Sequence, residues 1–413
     1  MRRRHAVIGA VAVAAALTLT SCGSGGDDAA GSGDVTIEWW VPNWDEEESR
    51  DLIAQFEEEH PGVTIKTVVT QWETMANQIR VALDSGDVPD VITELTSRIP
   101  NYARQDQLAD VTDWYDDAMP RDDFYEAAVE TASFDGVVYG VPMRWDAGSM
   151  IYNVDLFEQA GLEGPPATWD ELIEAAQAMQ ELGVYGYGWP YGDPGNSRVR
   201  WLNAYYTHGG TFTEEADGSV TIDPAASLAA IEMITEGFEE GWVTPSSLEA
   251  TNTDLQNLFM NGQLGFYFDG AYAVTPIKEA GVNVGTAMWP GPDGPGTVSA
   301  DGFSYIVPAG AENLDVVKEF VQFLALPEHQ ALMTDTFPAR YSAAEDERFS
   351  DELLQPFLEQ HGEHSSNRPA YPGWEELIPT IHSALQSVAL GDQTAEEANE
   401  AILEHAGQIL RTS

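Results

Sequence analysis

The stretch that decides the fold is residues 35–92, which read VTIEWWVPNWDEEESRDLIAQFEEEHPGVTIKTVVTQWETMANQIRVALDSGDVPDVI. Apolar and β-branched residues dominate 35–41, 63–69 and 88–92, as is typical of strands. The two segments between them carry apolar residues at helical spacing. This β-α-β-α-β alternation predicts an α/β fold in which helices cover a mostly parallel sheet.

Helix-start signals continue this pattern further along the chain. Residues 168–171 (TWDE) and 394–397 (TAEE) have the composition of a capping box. Asp223 is an N-cap residue followed by proline at the first helical position. Together with the apolar spacing, these signals predict helices over about 168–183, 223–241, 314–326, 374–390 and 394–410.

The chain of 413 residues is strongly acidic, with 69 Asp and Glu against 18 Lys and Arg and a formal net charge of −51. Nucleic-acid binding requires clustered cations that displace counterions from phosphates, so this composition argues against it. An anionic lipid surface would also repel the chain. Apolar residues make up 43% of the sequence, which is enough for the cores of the two or three domains that the length favours.

The N-terminus has the organisation of an export signal. Three arginines at 2–4 precede the apolar run 6–19, which is too short for a stable membrane span. The tetrapeptide LTSC at 19–22 resembles the bacterial lipobox and ends on the chain's single cysteine. Acylation there would hold the protein at the extracytoplasmic face of the bacterial cell membrane. The sequence thus predicts a lipoprotein signal peptide over 1–21, lipidation of Cys22 and a flexible tether over 22–34.

The order of several short segments is specific as a set, although each is weak alone. They are IEWW (37–40), FEEEHPGV (56–63), SGDVPDV (85–91), GVVYGVP (136–142), IYNVDLF (151–157), TWDEL (168–172), GQLGF (262–266), FDG (268–270) and PAR (338–340). Over nearly the whole mature chain, the sequence resembles the family 1 extracellular solute-binding proteins of ABC importers, the group that includes maltose-binding protein.

This resemblance implies two α/β lobes that close by a hinge motion on a sugar or related polar solute. We expect one lobe at 35–145 plus 300–337 and the other at 146–299 plus 338–413. The implied partners are a small carbohydrate, the permease subunits of the transporter and the membrane, through the lipid on Cys22. We expect a monomer that binds no nucleic acid, has no enzymatic activity and needs neither a cofactor nor a metal.

A sugar presents apolar CH faces and many hydroxyl groups, so its site combines aromatic rings with Asp, Glu, Asn and Arg. Candidate residues of these types follow predicted strands, lie at predicted crossovers between lobes, or stand near helix starts, as Arg200 and Trp201 are expected to do. The predicted ligand-binding residues are Trp44, Asp45, Glu94, Arg144, Trp145, Asp146, Trp189, Arg200, Trp201, Asp269, Tyr272, Trp289, Asp301, Arg340, Tyr341 and Trp374.

The family resemblance supports three of these positions, because Asp269, Arg340 and Trp374 match segments that commonly line the cleft. Tyr272 stands where many relatives have tryptophan, which keeps an aromatic ring. Four other tryptophans are assigned to packing; they are Trp39, Trp114, Trp169 and Trp242.

Two alternatives to an oligosaccharide or glucoside carrier stay open. An exported glycoside hydrolase would use two carboxylates in an aromatic cleft, and an excess of acids supplies such pairs by chance. The Gly-x-Ser-x-Gly and His-Glu-x-x-His motifs do not occur in the sequence, and 361–364 (HGEH) has the wrong spacing for a zinc helix. Within the family, a cleft arginine would suit an anionic solute such as a sugar acid or glycerol phosphate.

Overall fold

A computed structural model describes residues 34–412. The predicted signal peptide and Cys22 lie outside the described residues, as does the predicted tether up to Gly33.

The described part of the chain forms two main sheets with helices packed around them. The strands are β1 (Val35–Pro42), β2 (Val63–Thr70), β3 (Val91–Leu95), β4 (Ser133–Phe134), β5 (Val137–Val138), β6 (Gly140–Ala147), β7 (Ser149–Asn153), β8 (Phe212–Glu214), β9 (Val220–Ile222), β10 (Phe266–Asp269), β11 (Val284–Ala287), β12 (Val298–Ile306) and β13 (Ser365–Asn367). The helices are α1 (Glu46–Glu59), α2 (Trp72–Ser85), α3 (Ile99–Ala103), α4 (Glu126–Thr131), α5 (Val154–Gln159), α6 (Trp169–Glu181), α7 (Pro194–Thr207), α8 (Pro224–Glu239), α9 (Asn252–Met260), α10 (Val274–Glu279), α11 (Leu314–Leu324), α12 (Pro327–Met333), α13 (Gln355–Glu363), α14 (Trp374–Ala389) and α15 (Ala395–Ile409).

The first sheet has six strands in the order β13-β12-β3-β1-β2, with β6 also paired to β12. Strands β1, β2 and β3 are parallel, as the alternation of strands and helices predicts, whereas β12 runs antiparallel to β3 and β6. The sheet is therefore mixed. Helix α1 covers it through Phe56, whose ring centroid lies 5.0 Å from that of Phe320 in α11, and Phe320 in turn packs against Trp39 of β1. Full burial of such side chains contributes about 1.5–3 kcal/mol each.

The predicted boundary of β3 is wrong by three residues. The strand starts at Val91 rather than at 88, because Pro89 has no backbone N–H to give to a neighbouring strand. The side chain of Asp90 instead accepts a hydrogen bond from the backbone of Glu38 at 2.8 Å. The strand also ends later than predicted, at Leu95 rather than at 92, so Glu94 lies within it.

The second sheet has three antiparallel strands in the order β10-β7-β11. The chain passes from the first sheet to the second between β6 and β7, at Gly148, and returns between β11 and β12. A β-carbon on Gly148 would stand 3.2 Å from the carbonyl oxygen of Asp269, so a glycine allows the strands to approach here. These crossings connect the sheets, while the lobe boundaries given above remain predictions.

The helix starts test the capping signals directly. Thr168 and Thr394 form complete capping boxes, as predicted. The prediction that Arg200 and Trp201 open a helix is wrong, because both lie in the middle of α7. That helix begins at Pro194, after an Asp193 whose side chain accepts a hydrogen bond from the backbone of Asn196. Between residues 34 and 412, no helix combines the length and apolar character needed to cross a bilayer.

Candidate functional site

The ends of the parallel strands place several polar and aromatic side chains at one edge of the first sheet. Trp44 follows β1, Trp72 follows β2, and a short turn over Thr96–Arg98 follows β3. In the second sheet, Tyr272 follows β10. Open α/β sheets bind ligands outside the carboxyl ends of their strands, so this edge is the expected place for a site.

Three aromatic residues of the first sheet form a partly exposed group, the strand-end aromatics Trp44, Trp72 and Phe303. The ring centroid of Trp44 lies 6.2 Å from that of Trp72 and 5.5 Å from that of Phe303. The Cζ2 atom of Trp72 lies 3.7 Å from the position a β-carbon would take on Gly195, in the first turn of α7. The group therefore lies where the strand ends of the first sheet meet the start of α7.

Tyr272 is the most exposed of the predicted cleft aromatics next to the second sheet, at 40%. Its hydroxyl donates a hydrogen bond to Oδ1 of Asp269, which also accepts from Nδ2 of Asn252 at 3.0 Å. Burial of the hydroxyl and the neighbouring Asp269 carboxylate hold the pKa of Tyr272 well above its usual value. The hydroxyl thus stays a donor, and the ring is held in place with much of its surface free.

Arg200 and Asp269 lie beneath this ring and are almost fully buried. Nη2 of Arg200 donates to the carbonyl oxygen of Phe268 at 2.6 Å and to Oδ1 of Asn252 at 3.3 Å, and lies 3.8 Å from the Asp269 carboxylate. Burial raises the pKa of Asp269. The hydrogen bonds of both predicted ligands are therefore made within the protein, and Asp269 accepts the one that holds the Tyr272 hydroxyl.

A second polar cluster surrounds the turn after β3. Glu94 is fully buried and accepts hydrogen bonds from the backbone of Leu95 at 2.7 Å, from the Tyr102 hydroxyl at 2.9 Å and from Arg98 at 3.2 Å. Its lone pairs are used inside the protein. Glu94 therefore fixes the turn that carries Arg98.

Asp301 of β12 holds the same turn from the other side. It accepts from the Ser97 hydroxyl at 2.7 Å and from Nη1 of Arg368 at 3.1 Å.

The carboxylate of Glu375 lies between two arginines. Nη1 of Arg198, in α7, lies 3.4 Å from its Oε1 atom, and Nε of Arg98 lies 3.4 Å from its Oε2 atom. Arginines from three parts of the chain thus meet between the strand ends, α7 and α14.

The predicted crossover residues 144–146 lie at the junction of the two sheets. The buried Arg144 donates to the carboxylate of Asp45 and to that of Asp335 at 3.0 Å, and its guanidinium lies 5.4 Å from the centre of the Phe303 ring. Asp146 pairs in register with Asp301, and burial raises the pKa of Asp146 to about 6. Arg144 and Asp45 are therefore bound to each other beneath the strand-end aromatics.

Five of the predicted aromatic platforms are core residues in this structure. Trp145, Trp189, Trp201, Trp289 and Trp374 are each less than 2% exposed, so none offers a ring face to a solute in this arrangement. Trp145 lies within β6, paired with β12 in the core, and the other four are covered by neighbouring aromatic rings. Trp189 and Trp289 pack on Phe268 at 5.6 and 4.2 Å, Trp201 stacks on Tyr205 at 5.0 Å, and Trp374 meets Phe212 at 5.5 Å.

Arg340 and Tyr341 lie apart from the strand ends described above. The Nε atom of Arg340 donates to Asp123 at 2.7 Å and its Nη1 to the carbonyl of Ala325 at 2.6 Å, so this buried side chain has a structural partner on both sides. Tyr341 is half exposed and packs edge-on against Tyr125 at 4.4 Å.

Of the tryptophans assigned to packing, Trp39, Trp114 and Trp242 are buried as predicted, and Trp169 is partly buried against the core.

Several residues at the strand ends escaped the sequence prediction. Trp72 follows β2 by the same rule that selected Trp44, and Arg98 lies four residues after Glu94, so both carried a usable signal. Arg198, Arg368 and Glu375 carried none, because only the packing of distant segments brings them together.

Comparisons with known proteins define the class. A family model described as bacterial extracellular solute-binding protein matches residues 43–331, and the chain belongs to this family. It is 27% identical over 375 residues to the maltooligosaccharide ABC transporter solute-binding lipoprotein of Streptococcus pneumoniae strain R6, covering 86% of this chain and 85% of that protein.

Two further proteins are similar over nearly the full length. The galactooligosaccharide-binding protein of Bacillus subtilis is 25% identical over 426 residues, with 96% of this chain and 95% of that protein covered. The GacH receptor of Streptomyces glaucescens, whose structures were solved unliganded and with acarbose, has a TM-score of 0.80 at 24% identity and covers 90% of this chain and 97% of its own. These similarities agree with a two-lobed fold.

Proposed function

We propose that this protein is the solute-binding component of an ABC importer that captures an oligosaccharide or glucoside between its lobes and delivers it to the permease. The observation that carries this proposal is the presence of partly exposed aromatic rings beside the strand ends of both sheets, Trp44 and Trp72 on one and Tyr272 on the other. Sugar rings stack on such surfaces through their CH faces. Family membership and the sugar-binding names of the relatives support the same function.

Lobe closure would give the importer its signal. The chain crosses between the sheets at Gly148 and again before β12, and such crossings can act as hinges. A solute that contacts both lobes stabilises the closed arrangement by its differential affinity for that state. The permease could then distinguish loaded from empty protein by the angle between the lobes.

The proposal extends to a lipid anchor at Cys22, on the extracytoplasmic face of the membrane. The lipobox-like sequence at 19–22 supports it. A host cell expressing the full chain should retain the protein in the membrane fraction, and Cys22→Ala should release it, because the acyl chains would be missing. Equal membrane retention of the two proteins would contradict the anchor.

Binding and catalysis are separated by one assay. Purified protein is titrated calorimetrically with maltotriose, galactobiose, cellobiose and trehalose, and each mixture is analysed for released products. Binding heat and a raised melting temperature without products are expected, because a ligand that binds only the folded state stabilises it. Sugar release would favour the hydrolase alternative, which gains no support from the comparisons.

The aromatic platform is tested with a matched pair of tyrosines. Tyr272→Ala should weaken binding by roughly tenfold, since an aromatic contact contributes about 0.5–1.5 kcal/mol beyond its buried area. Tyr185→Ala is the control, because Tyr185 is 39% exposed and follows α6 rather than a strand end of the site. Equal affinities of the two variants would count against the platform.

A further inference from the structure

Arg198 is a buried charge with too few partners. Its side chain is 1% exposed, yet within residues 34–412 its guanidinium donates one hydrogen bond, to Oε1 of Glu375 at 3.4 Å. The Nε atom is buried and meets no acceptor in the described part of the chain. An arginine has five N–H donors, so most donors of this group have no acceptor among the described residues. A buried Nε without an acceptor is shared with Arg200 and Arg368, whereas the single side-chain contact distinguishes Arg198 from Arg200.

The neighbouring acids cannot supply the missing acceptors. Glu94 and Asp301 are already bonded to the turn after β3 and to arginines 98 and 368. Glu375 is 39% exposed and shares its carboxylate between Arg198 and Arg98, both at 3.4 Å. Arg198 therefore has a single carboxylate partner, which it shares with Arg98. A buried guanidinium ordinarily has several closer acceptors.

This arrangement costs stability. Burial, together with the like charge of Arg368, lowers the pKa of Arg198 to about 10, so the group still carries its charge at neutral pH. A buried charge without full hydrogen bonding is unfavourable for the folded state. Binding sites commonly contain such unfavourable groups, because the ligand supplies the missing partners.

The position of Arg198 agrees with a role in binding. It lies three residues after Gly195 on α7, so the two residues share a face of that helix. Gly195 is the residue that approaches Trp72. Arg198 is also linked through Glu375 to Arg98, which follows β3. The guanidinium thus lies on the side of α7 that meets the strand ends of the first sheet.

We propose that the solute reaches Arg198, which is buried in this arrangement, when the lobes are open, and that Arg198 then donates two parallel N–H bonds to a pair of oxygen acceptors. A guanidinium has the fork geometry for this task, and both a carboxylate and two adjacent hydroxyls of a sugar present such a pair. The proposal rests on the proposed function and names one contact of the same site. Arg198 then contributes to affinity at the expense of folding stability.

The test is Arg198→Met, measured in two ways. Removal of a poorly paired buried charge should leave the melting temperature unchanged or raised, while affinity for the best saccharide of the calorimetric panel falls at least tenfold. Arg198→Lys keeps the charge and loses the fork, so it should also bind weakly. Arg80→Met is the control, because Arg80 is exposed on α2 and paired with Asp84 in the same helix.

The outcomes separate this contact from the proposed function. Unchanged affinity of Arg198→Met, with or without a lower melting temperature, would overturn the contact and leave the proposed function standing. A wild-type protein that binds no saccharide would contradict the proposed function instead. Including digalacturonate beside neutral galactobiose identifies the acceptor: an Arg198-dependent preference for the acid assigns a carboxylate, and an Arg198-dependent preference for the neutral sugar assigns a hydroxyl pair.

Discussion

Arg198 and Arg200 stand two residues apart on the same helix, and both are almost fully buried. Arg200 donates to the carbonyl oxygen of Phe268 at 2.6 Å and to Asn252 at 3.3 Å, with the Asp269 carboxylate at 3.8 Å. Arg198 has a single contact at 3.4 Å, to Glu375. The same residue type at the same burial therefore has very different support in the folded protein.

The difference follows from the helix period. Successive residues turn by about 100°, so positions two apart point to opposite sides of the helix. Arg200 points to the end of β10, where a backbone carbonyl and two polar side chains receive it. Arg198 points to the start of α14 and to other arginines. Arg200 therefore has several acceptors and Arg198 has one, while the Nε atoms of both are buried without an acceptor among residues 34–412.

The largest difference between the two arginines is expected when the Arg200 side chain is removed. Arg200→Met should lower the free energy of unfolding by about 3–5 kcal/mol, because the buried Asp269 loses its cationic partner. Urea unfolding followed by tryptophan fluorescence measures the change, with Arg198→Met as the matched substitution. Equal losses of stability in the two variants would mean that their surroundings do not differ in the way described.

His361 sharpens the comparison, since it is a buried base that can lose its charge. It is 5% exposed, and its ring packs edge-on against Tyr125 at 4.5 Å. Burial lowers the pKa of His361 to about 4. The unfolded chain, with a histidine pKa of about 6.5, binds a proton at higher pH than the folded protein does, so the stability contribution is full above pH 6.5 and is lost as the pH falls toward 4.

The measurement is the difference between wild type and His361→Leu across that range. The wild type should lose up to about 3 kcal/mol more than the variant between pH 6.5 and pH 4, at 1.36 kcal/mol for each unit of pKa shift. Subtracting the variant removes the effect of the many carboxylates, which both proteins share. Parallel stability curves would show that charging a buried base without partners is not costly here.

The smallest effect is expected at Glu375. Glu375→Gln should change the free energy of unfolding by less than about 1 kcal/mol, because the carboxylate is partly exposed and both of its contacts are long. Chemical unfolding at low and high NaCl provides the measurement. A large, salt-dependent loss would mean that Arg198 is better paired than its distances indicate.

The fold was predictable because its signals are local. The strands and helices of 35–92 follow from apolar spacing, and the boxes at Thr168 and Thr394 form as their residue types predict. Errors arose where local signals compete, as at Pro89, which delays β3, and at Asp193-Pro194, which starts α7 well before Arg200. The mixed order of the first sheet depends on pairing between segments far apart in the chain.

The candidate site was predictable only in part. Trp44 and Tyr272 have partly exposed rings beside strand ends, whereas Trp189 and Trp289 of the same predicted set are covered by Phe268. Composition shows that aromatic residues are abundant, but it does not show which rings meet one another. Whether a given ring is exposed depends on how distant segments pack in the folded chain.

The sequence by itself determined the class of fold, the acidic charge and the family to which the chain belongs. These depend on residue order and on counts, which the sequence contains in full. Only the tertiary structure decided which of two neighbouring arginines has several close acceptors. Arg200 donates hydrogen bonds to residues 252 and 268, and the single acceptor of Arg198 is residue 375. Such contacts exist only once distant segments have packed together, because a hydrogen bond requires a partner within about 3 Å.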